Sequence, residues 1–230
     1  MRFALQNGKK VHIKDAVKGS LGQDCWFKNY TLKACKGDYL QYWRYVDDCP
    51  VLPKGYENET EWHIVWKSLV KDEYCEVISG FNNEHRADIK TPEYVIELQY
   101  SSISLTDAIE RTEFYNALTG TRVIWIVNCY GASRKKHLEI GTKKDKNQWE
   151  LYWKYPKKWA IDILRKNNTK VYLDISPNKN TMLRIWLHEG KLFCSWKNKQ
   201  TFYNKYLKAY SDNAVDINTV FANLNIKDYD

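Results

Sequence analysis

The segment Arg122–Cys129, RVIWIVNC, is an almost unbroken apolar run in a chain that is otherwise rich in charged residues. Such a run predicts a central strand that is buried on both faces, as in a parallel pair after a crossover helix. The preceding sequence supports this interpretation, because Ser104 predicts a helix start and Gly120 follows the expected helix end at about Leu118. The chain is therefore predicted to fold as an α/β protein.

Further elements are predicted on both sides of this core. Asn58 and Glu61 are close to a capping box, and apolar residues from Trp62 to Val70 then recur at helical spacing. Together these patterns predict a central mixed sheet of about four to five strands, flanked by two helices. The other predicted elements are strands at Tyr74–Ile78, about Arg86–Lys90, Tyr94–Tyr100 and Lys170–Ile175, a hairpin of Leu183–Leu187 and Lys191–Trp196 turned by Glu189 and Gly190, and helices at Pro156–Arg165 and about Lys199–Tyr210. Residues 130–148 are polar and basic and predict a loop.

The clearest linker signal is the segment Cys49–Gly55, which contains two prolines and a glycine. The residues before it form short patches punctuated by glycines. We therefore expect a small N-terminal segment at 1–52, an α/β domain at 53–215 and a polar C-terminal tail at 216–230.

Composition indicates a folded protein with a polyanionic partner. The 230 residues are 43% hydrophobic, and the net charge of +8 with an isoelectric point near 9.0 favours a partner such as nucleic acid. The N-terminus lacks the apolar core of a secretion signal, and no apolar stretch approaches the roughly 20 residues that span a bilayer. Cys129 and Cys194 lie in apolar or aromatic runs and are predicted to be reduced core residues. We expect a cytoplasmic protein with no membrane partner.

Acidic residues lie on two neighbouring predicted strands. Asp88 ends a short polar stretch, and Glu97 and Gln99 point to the same face of the strand 94–100 because side chains alternate along a strand. Two carboxylates at such a place, often with a backbone carbonyl, commonly hold Mg²⁺ or Mn²⁺ for phosphodiester hydrolysis. The alternative is a half-exposed strand that shows polar residues to solvent.

Polar residues also recur along the first predicted helix. Glu59, His63 and Lys67 are spaced four residues apart, which places them in one line along the helix, beside its apolar arc. Next to a carboxylate site they could face a metal, a water or a phosphate. The alternative is an ordinary ladder of surface side chains.

Basic and aromatic residues offer candidate contacts to phosphates and bases. Arg111 and Tyr115 lie on one face of the second predicted helix, where Arg111 could bind a phosphate with two hydrogen bonds or simply pack over the ring of Tyr115. The C-terminal third adds residues suited to backbone neutralisation and base stacking, or alternatively to a tryptophan-rich core edge. These are Trp149, Trp153, Lys157, Lys158, Trp159, Trp186, Trp196, Lys197 and Lys199.

Several of these motifs, in this order, resemble the CoiA-like competence nucleases of the PD-(D/E)XK superfamily. The motifs are E-T-x-x-H-x-x-x-K at 59–67, R-A-D at 86–88, V-I-E-L-Q-Y-S-S-I-S at 95–104, E-R-T-x-x-Y at 110–115 and V-I-W-I-V at 123–127. The resemblance covers roughly residues 55–130. It implies a restriction-endonuclease-like core with a central mixed sheet, a small N-terminal appendage and C-terminal β/α additions.

The resemblance also implies roles for the site residues. It maps Asp88 and Glu97 onto the metal-binding carboxylates, with the backbone carbonyl of Leu98 as a further ligand. Gln99 stands where the wider superfamily usually carries lysine, so Lys67 becomes the candidate positive charge for the transition state. Glu59 and His63 map onto the family's helix motif. The expected nucleic-acid contacts are Arg86, Arg111, Tyr115, Lys157 and Lys158.

The N-terminal segment departs from the family's pattern. Related proteins often begin with a small zinc-ribbon-like element, of which Cys25 keeps only the first cysteine, while Tyr42–Tyr45 stands in place of both histidines. Because these residues are poor ligands for tetrahedral zinc, we predict a degenerate element without zinc, in which Trp26, Phe27 and Trp43 supply aromatic packing.

The sequence therefore predicts a divalent-metal-dependent deoxyribonuclease that uses Mg²⁺ or Mn²⁺, with DNA favoured over RNA as its partner. One alternative is a nuclease-like DNA-binding protein with weak or no catalytic activity. A second alternative is RNA as the substrate, because the hydrolysis needs only the phosphate.

Overall fold

The computed structural model describes residues 1–37, 41–46, 59–81, 85–118, 121–165, 169–222 and 224. The chain divides into two compact units. The first contains Met1–Tyr56 and Gly80–Arg86, and the second contains Glu57–Ser79 and Ala87–Asp230. The predicted linker at 49–55 and the predicted cap residue Asn58 lie outside the described residues, and the predicted domain limits stay a prediction.

The first unit contains a five-stranded antiparallel sheet with the order β2-β1-β3-β4-β5. Its strands are β1 (Phe3–Gln6), β2 (Lys9–His12), β3 (Leu21–Gln23), β4 (Thr31–Lys36) and β5 (Gln41–Tyr45). A small apolar core packs around Leu32 and the fully buried Trp43. The rings of Trp26 and Phe27 stack 5.6 Å apart. The predicted aromatic packing is therefore present, whereas the predicted lack of zinc stays a prediction.

The second unit contains a nine-stranded mixed sheet with the order β10-β11-β14-β13-β12-β9-β8-β7-β6. Its strands are β6 (Cys75–Ser79), β7 (His85–Lys90), β8 (Tyr94–Gln99), β9 (Arg122–Asn128), β10 (Leu138–Asp145), β11 (Gln148–Trp153), β12 (Lys170–Ser176), β13 (Thr181–His188) and β14 (Lys191–Lys197). Its helices are α1 (Glu61–Lys67), α2 (Leu105–Ala117), α3 (Tyr130–Arg134), α4 (Lys158–Ile163), α5 (Lys199–Tyr206) and α6 (Ile217–Ala222).

Three parallel strands, β8, β9 and β12, form the middle of this sheet. The predicted central strand is confirmed, because every side chain from Val123 to Val127 is fully buried. The predicted crossover helix is confirmed as α2, whose N-cap Ser104 accepts a hydrogen bond from the backbone N–H of Asp107. The predicted α/β fold class, with helices beside a central mixed sheet, is therefore confirmed.

The structure corrects two sequence predictions about this sheet. The sheet has nine strands rather than four to five. Residues 130–148 are not a loop, because they contain α3 and the edge strand β10, which pairs with β11. The lysines of β10 are exposed, as is common on an edge strand, and this polar composition looks like that of a loop. The predicted tail also contains α6, whose Phe221 is fully buried.

The two faces of the sheet carry different helices. On one face α2 and α4 cover the core, where the indole N–H of Trp125 donates to Thr112 and its ring packs against Trp159. On the other face α1 packs against α5 and α6 through Trp66, whose ring lies 5.7 Å from Phe202 and 5.0 Å from Phe221. In the described part of the chain no helix is long and apolar enough to cross a membrane.

A fully buried ion pair ties α1 and α5 to the sheet. Lys199 at the start of α5 lies 2.9 Å from Asp174 of β12, and both side chains have no exposed surface. The Lys199 ammonium also donates to the carbonyls of Ser176 and Pro177, so all three of its donors are used. The same Asp174 oxygen accepts the indole N–H of Trp62 on α1 at 2.9 Å. Asp174 therefore fixes the helix that carries the line of polar residues.

We predict that Lys199→Met destabilises the protein by about 3–5 kcal/mol, because it leaves Asp174 as an uncompensated buried charge. The free energy of unfolding in urea measures this loss. Adding Asp174→Asn to this variant removes the stranded charge and should recover part of it, while Lys208→Met, at an exposed lysine, serves as the matched control. A Lys199→Met variant as stable as the control would contradict this account of the buried pair.

Candidate active site

The candidate site lies where β7 and β8 separate. Their paired residues include Ile89 with Ile96 and Lys90 with Val95, so continued pairing would place Asp88 opposite Glu97. Instead, the backbone N–H of Leu98 donates to the Asp88 carboxylate at 2.9 Å. The side chain of Asp88 thus occupies the gap between the two strands and satisfies a backbone donor there.

His63 on α1 reaches the same backbone segment from the other side. Its Nδ1 accepts the backbone N–H of Thr60, the N-cap of α1, and these two residues form a capping box. Its Nε2 lies 3.2 Å from the carbonyl oxygen of Leu98. Because Nδ1 accepts the Thr60 N–H, Nε2 is the nitrogen that donates to Leu98.

Lys67 is the centre of a cluster of carboxylates. Its ammonium lies 3.1 Å from Glu59, 3.2 Å from Glu76 and 3.2 Å from Asp88, and its side chain is only 5% exposed. Burial acts to raise the pKa of Asp88, but attraction to Lys67 and the Leu98 hydrogen bond outweigh it, so this pKa lies below its usual range. Asp88 is therefore held in its ionised form.

Sequence reasoning missed Glu76, which lies in β6. Its side chain points to Lys67, and its backbone has a φ of +48°, a left-handed conformation that is uncommon for a residue with a side chain. Holding such a residue there costs about 1–3 kcal/mol, and this kind of strain concentrates at functional sites. The segment looked like an ordinary strand, and nothing in its spacing indicated that Glu76 would meet Lys67.

Glu97 forms the second half of the site, facing α2. One oxygen of Glu97 accepts a hydrogen bond from Arg111 at 2.5 Å, and the residue is 2% exposed. The other oxygen, Oε1, is buried and has no hydrogen-bond partner among the described residues. Burial raises the pKa of Glu97 to about 7, and the negative charge of Asp88 adds to this effect although Arg111 opposes it. The two carboxylates are thus close enough to interact.

The charges of the site do not cancel. Among the described residues, Glu59, Glu76, Asp88 and Glu97 supply four carboxylates, and the ion pairs join them to Lys67 and Arg111. With all four ionised, these six groups carry a net charge of minus two. A buried net charge of this size is costly, which is consistent with the raised pKa of Glu97. The cluster therefore suits a divalent cation.

Other predicted site residues lie beside this cluster. Gln99 is 5% exposed, and its amide donates to the carbonyl of Ser101 at 3.4 Å. Arg111 contacts Glu97, so its guanidinium neutralises a carboxylate of the site. The ammonium of Lys157 donates to the carbonyls of Tyr100 and Ser101, directly after β8.

Three predicted nucleic-acid contacts are placed differently. Tyr115 is fully buried in the core of the second unit, where a nucleic acid does not reach it. Arg86 belongs to the first unit, where its guanidinium lies over the ring of Trp26. Lys158 is exposed at the start of α4.

The C-terminal aromatic and basic residues also separate into two groups. Trp159 is 4% exposed and Lys199 is fully buried, and Trp149 and Trp153 pack against the core. These four form the core edge that was the alternative interpretation. By contrast, Trp186 and Lys197 are partly exposed and Trp196 is 39% exposed.

The fold and the site define an α/β domain with a buried cluster of carboxylates paired with Lys67 and Arg111. The chain belongs to the family described as competence protein CoiA, nuclease-like domain, whose model matches residues 82–225. This membership confirms the resemblance to the CoiA-like family and indicates a nuclease function. The match includes Asp88 and Glu97, while α1 precedes its first residue. No curated protein and no solved structure gave a significant match.

We predict that, without divalent cations, the stability of the protein falls as pH rises because of Glu97. The folded-state pKa of Glu97, about 7, lies above its ordinary value of 4.5, so its contribution is fully present below pH 4.5 and is lost as pH rises through 7. Between pH 5 and 8 the loss should be on the order of 2 kcal/mol. Urea unfolding in EDTA measures it. In Glu97→Gln this part of the pH dependence should vanish, and an unchanged dependence would refute the assignment.

Proposed function

We propose that this chain is a divalent-metal-dependent deoxyribonuclease whose cation binds between Asp88 and Glu97. The observation that carries the proposal is the buried Oε1 of Glu97, which lacks a hydrogen-bond partner among the described residues. A buried carboxylate oxygen is normally paired or bound to a metal. The net charge of minus two across the ion-paired cluster supports a doubly charged ion.

The oxygen-rich donor set fits Mg²⁺ or Mn²⁺, which prefer carboxylate and carbonyl ligands. Asp88 and Glu97 would hold the ion, with the Leu98 carbonyl as a further oxygen ligand. When bound, such a cation activates a water for attack on the phosphodiester and neutralises charge on the phosphate.

The protein's own groups position these ligands. The Leu98 N–H and Lys67 both hold Asp88 ionised, each by contact with one of its oxygens. His63 donates to the Leu98 carbonyl and so orients it, while leaving its second lone pair available. Such contacts to the ligands fix their geometry and tune the bound ion.

Two positively charged side chains, Lys67 and Arg111, would lie near the reacting phosphate in this proposal. Because Gln99 is neutral, Lys67 is the candidate charge that stabilises the transition state, in addition to its contact with Asp88. Arg111 contacts one oxygen of Glu97, and an arginine guanidinium is of the kind that binds phosphate oxygens. Glu59 and Glu76 keep Lys67 charged in a buried place.

DNA is the favoured substrate. The family is described as a competence protein with a nuclease-like domain, and the resemblance of the motifs to competence nucleases favours DNA. The net charge of +8 supports a polyanionic partner but does not distinguish DNA from RNA.

A second candidate is a nuclease-like DNA-binding protein with little activity. The specific observation in its favour is that Lys67 and Arg111 already pair with the two carboxylates that would hold the cation. In this alternative those ion pairs would be permanent and structural. DNA binding without cleavage in any divalent metal would favour it.

We predict that the protein cleaves single- or double-stranded DNA with Mn²⁺ or Mg²⁺, and that Asp88→Ala lowers the rate at least about 1,000-fold by removing a metal ligand. Gel analysis of labelled DNA and of matched RNA measures cleavage and substrate class. Asp212→Ala, at an exposed aspartate outside the site, is the control. Equal cleavage by wild type and Asp88→Ala would rule out this site.

The same assay tests Lys67. With metal affinity measured separately, Lys67→Met should bind Mn²⁺ but cleave at least about 100-fold more slowly, because the transition-state charge is lost. Normal metal affinity with an unchanged cleavage rate would remove Lys67 from the mechanism.

A further inference from the structure

One face of the C-terminal strands β13, β14 and β11 carries polar and aromatic residues. Directly paired residues of antiparallel strands share a face. The pairs Arg184 with Ser195 and Trp186 with Phe193 therefore place these four side chains together. The alternate residues of the same strands, such as Ile185, point to the opposite face and belong to the apolar core.

This face contains a cleft of about 870 Å³. Its lining residues are Asp145, Lys146, Asn147, Gln148, Arg184, Trp186, Ser195 and Lys197. The ring of Trp186 is partly exposed and lies nearly parallel to that of Phe193, with centroids 6.2 Å apart and an interplanar angle of 19°. Phe193 and Trp186 thus form an offset stack on this face.

The cleft is positively charged. Lys146, Arg184 and Lys197 line it together with a single acidic residue, Asp145. The carboxylate of the neighbouring Glu150 is itself neutralised, because Lys144 lies 3.3 Å and Lys191 lies 3.8 Å from it. A polyanion therefore meets a favourable potential along this face.

We propose that this cleft binds single-stranded nucleic acid. Trp186 stacks on one base, while Arg184 and Lys197 contact the neighbouring phosphates. A partly exposed indole beside basic side chains is the combination that binds single strands, because stacking needs an unpaired base and the charges follow the backbone. A duplex offers this cleft only its phosphates. The choice of ligand rests on the proposed nuclease function, whereas the cleft lies on different strands from Asp88 and Glu97.

The test is fluorescence anisotropy of a labelled twelve-residue oligothymidine in EDTA, which prevents cleavage. Trp186→Ala should weaken binding about tenfold, the effect of losing one stacked base, while Trp186→Phe keeps a ring and should stay near wild type. Trp196→Ala is the matched control, because Trp196 lies on β14 with its side chain on the opposite face, paired with Leu183. Its binding should match wild type.

Two further comparisons separate the contribution of charge to binding from the contribution of stacking. Arg184→Gln should weaken binding of the oligonucleotide and of inorganic polyphosphate alike, whereas Arg122→Gln, an exposed arginine on β9, should weaken neither. Trp186→Ala should leave polyphosphate binding unchanged. Equal loss of both ligands in Trp186→Ala, or duplex binding as tight as single-strand binding, would overturn the proposal.

The outcomes also distinguish this cleft from the proposed catalytic site. Binding that depends on Trp186 in a protein that cleaves nothing would support the cleft and refute the nuclease. Thermal unfolding checks that the Trp186→Ala variant is folded. If this variant cleaves and binds like wild type, the proposed cleft is refuted, while the proposed nuclease function is not.

Discussion

The buried ammonium of Lys67 is the interaction on which the site depends. Three carboxylates converge on it, from Glu59 just before α1, from Glu76 of β6 and from Asp88 of β7, and only a cation makes such a convergence tolerable away from water. Without it, Asp88 would lose the strongest of the attractions that hold its pKa below the usual range. Glu97 has a separate cation in Arg111, and with all four carboxylates ionised these six described groups carry two excess negative charges. The site is thus arranged to hold more negative charge than Lys67 and Arg111 compensate.

The position of Lys67 follows from packing far from the acidic cluster. Trp62 of α1 is tied to Asp174, and Asp174 is tied to Lys199, all of them buried. Trp66 adds ring contacts to the other helices of the same face. One face of this short helix therefore packs in the core. The neighbouring residues His63 and Lys67 then contact Leu98 of β8 and Asp88 of β7.

Much of this architecture follows from local patterns in the sequence. The helical spacing of α1 and the apolar run of β9 each specify an element without reference to the rest of the chain. The strand β10 escaped prediction because an edge strand needs little apolar sequence, and its lysines are typical of a loop. The hairpin of β13 and β14 was predictable, since Glu189 and Gly190 both adopt the positive φ that such a tight turn requires.

The site was predictable in its residue types but not in its pairings. The resemblance brought Asp88, Glu97 and Lys67 together as a set. It did not show that Arg111 would neutralise Glu97, because that contact depends on where α2 crosses the sheet. It also omitted Glu76, whose approach to Lys67 requires an unusual backbone conformation in β6. These contacts depend on the tertiary structure, and the spacing of residues along the sequence does not predict them.

The most direct test of the central claim is the binding of Mn²⁺ by calorimetry to wild type, Asp88→Ala and Glu97→Gln. The account predicts saturable binding at a defined stoichiometry in wild type, with protons released because the ion displaces the proton of Glu97. Both variants should bind much more weakly, with the release lost in Glu97→Gln. Equal binding by all three proteins, or no binding by wild type, would contradict a divalent metal site between Asp88 and Glu97.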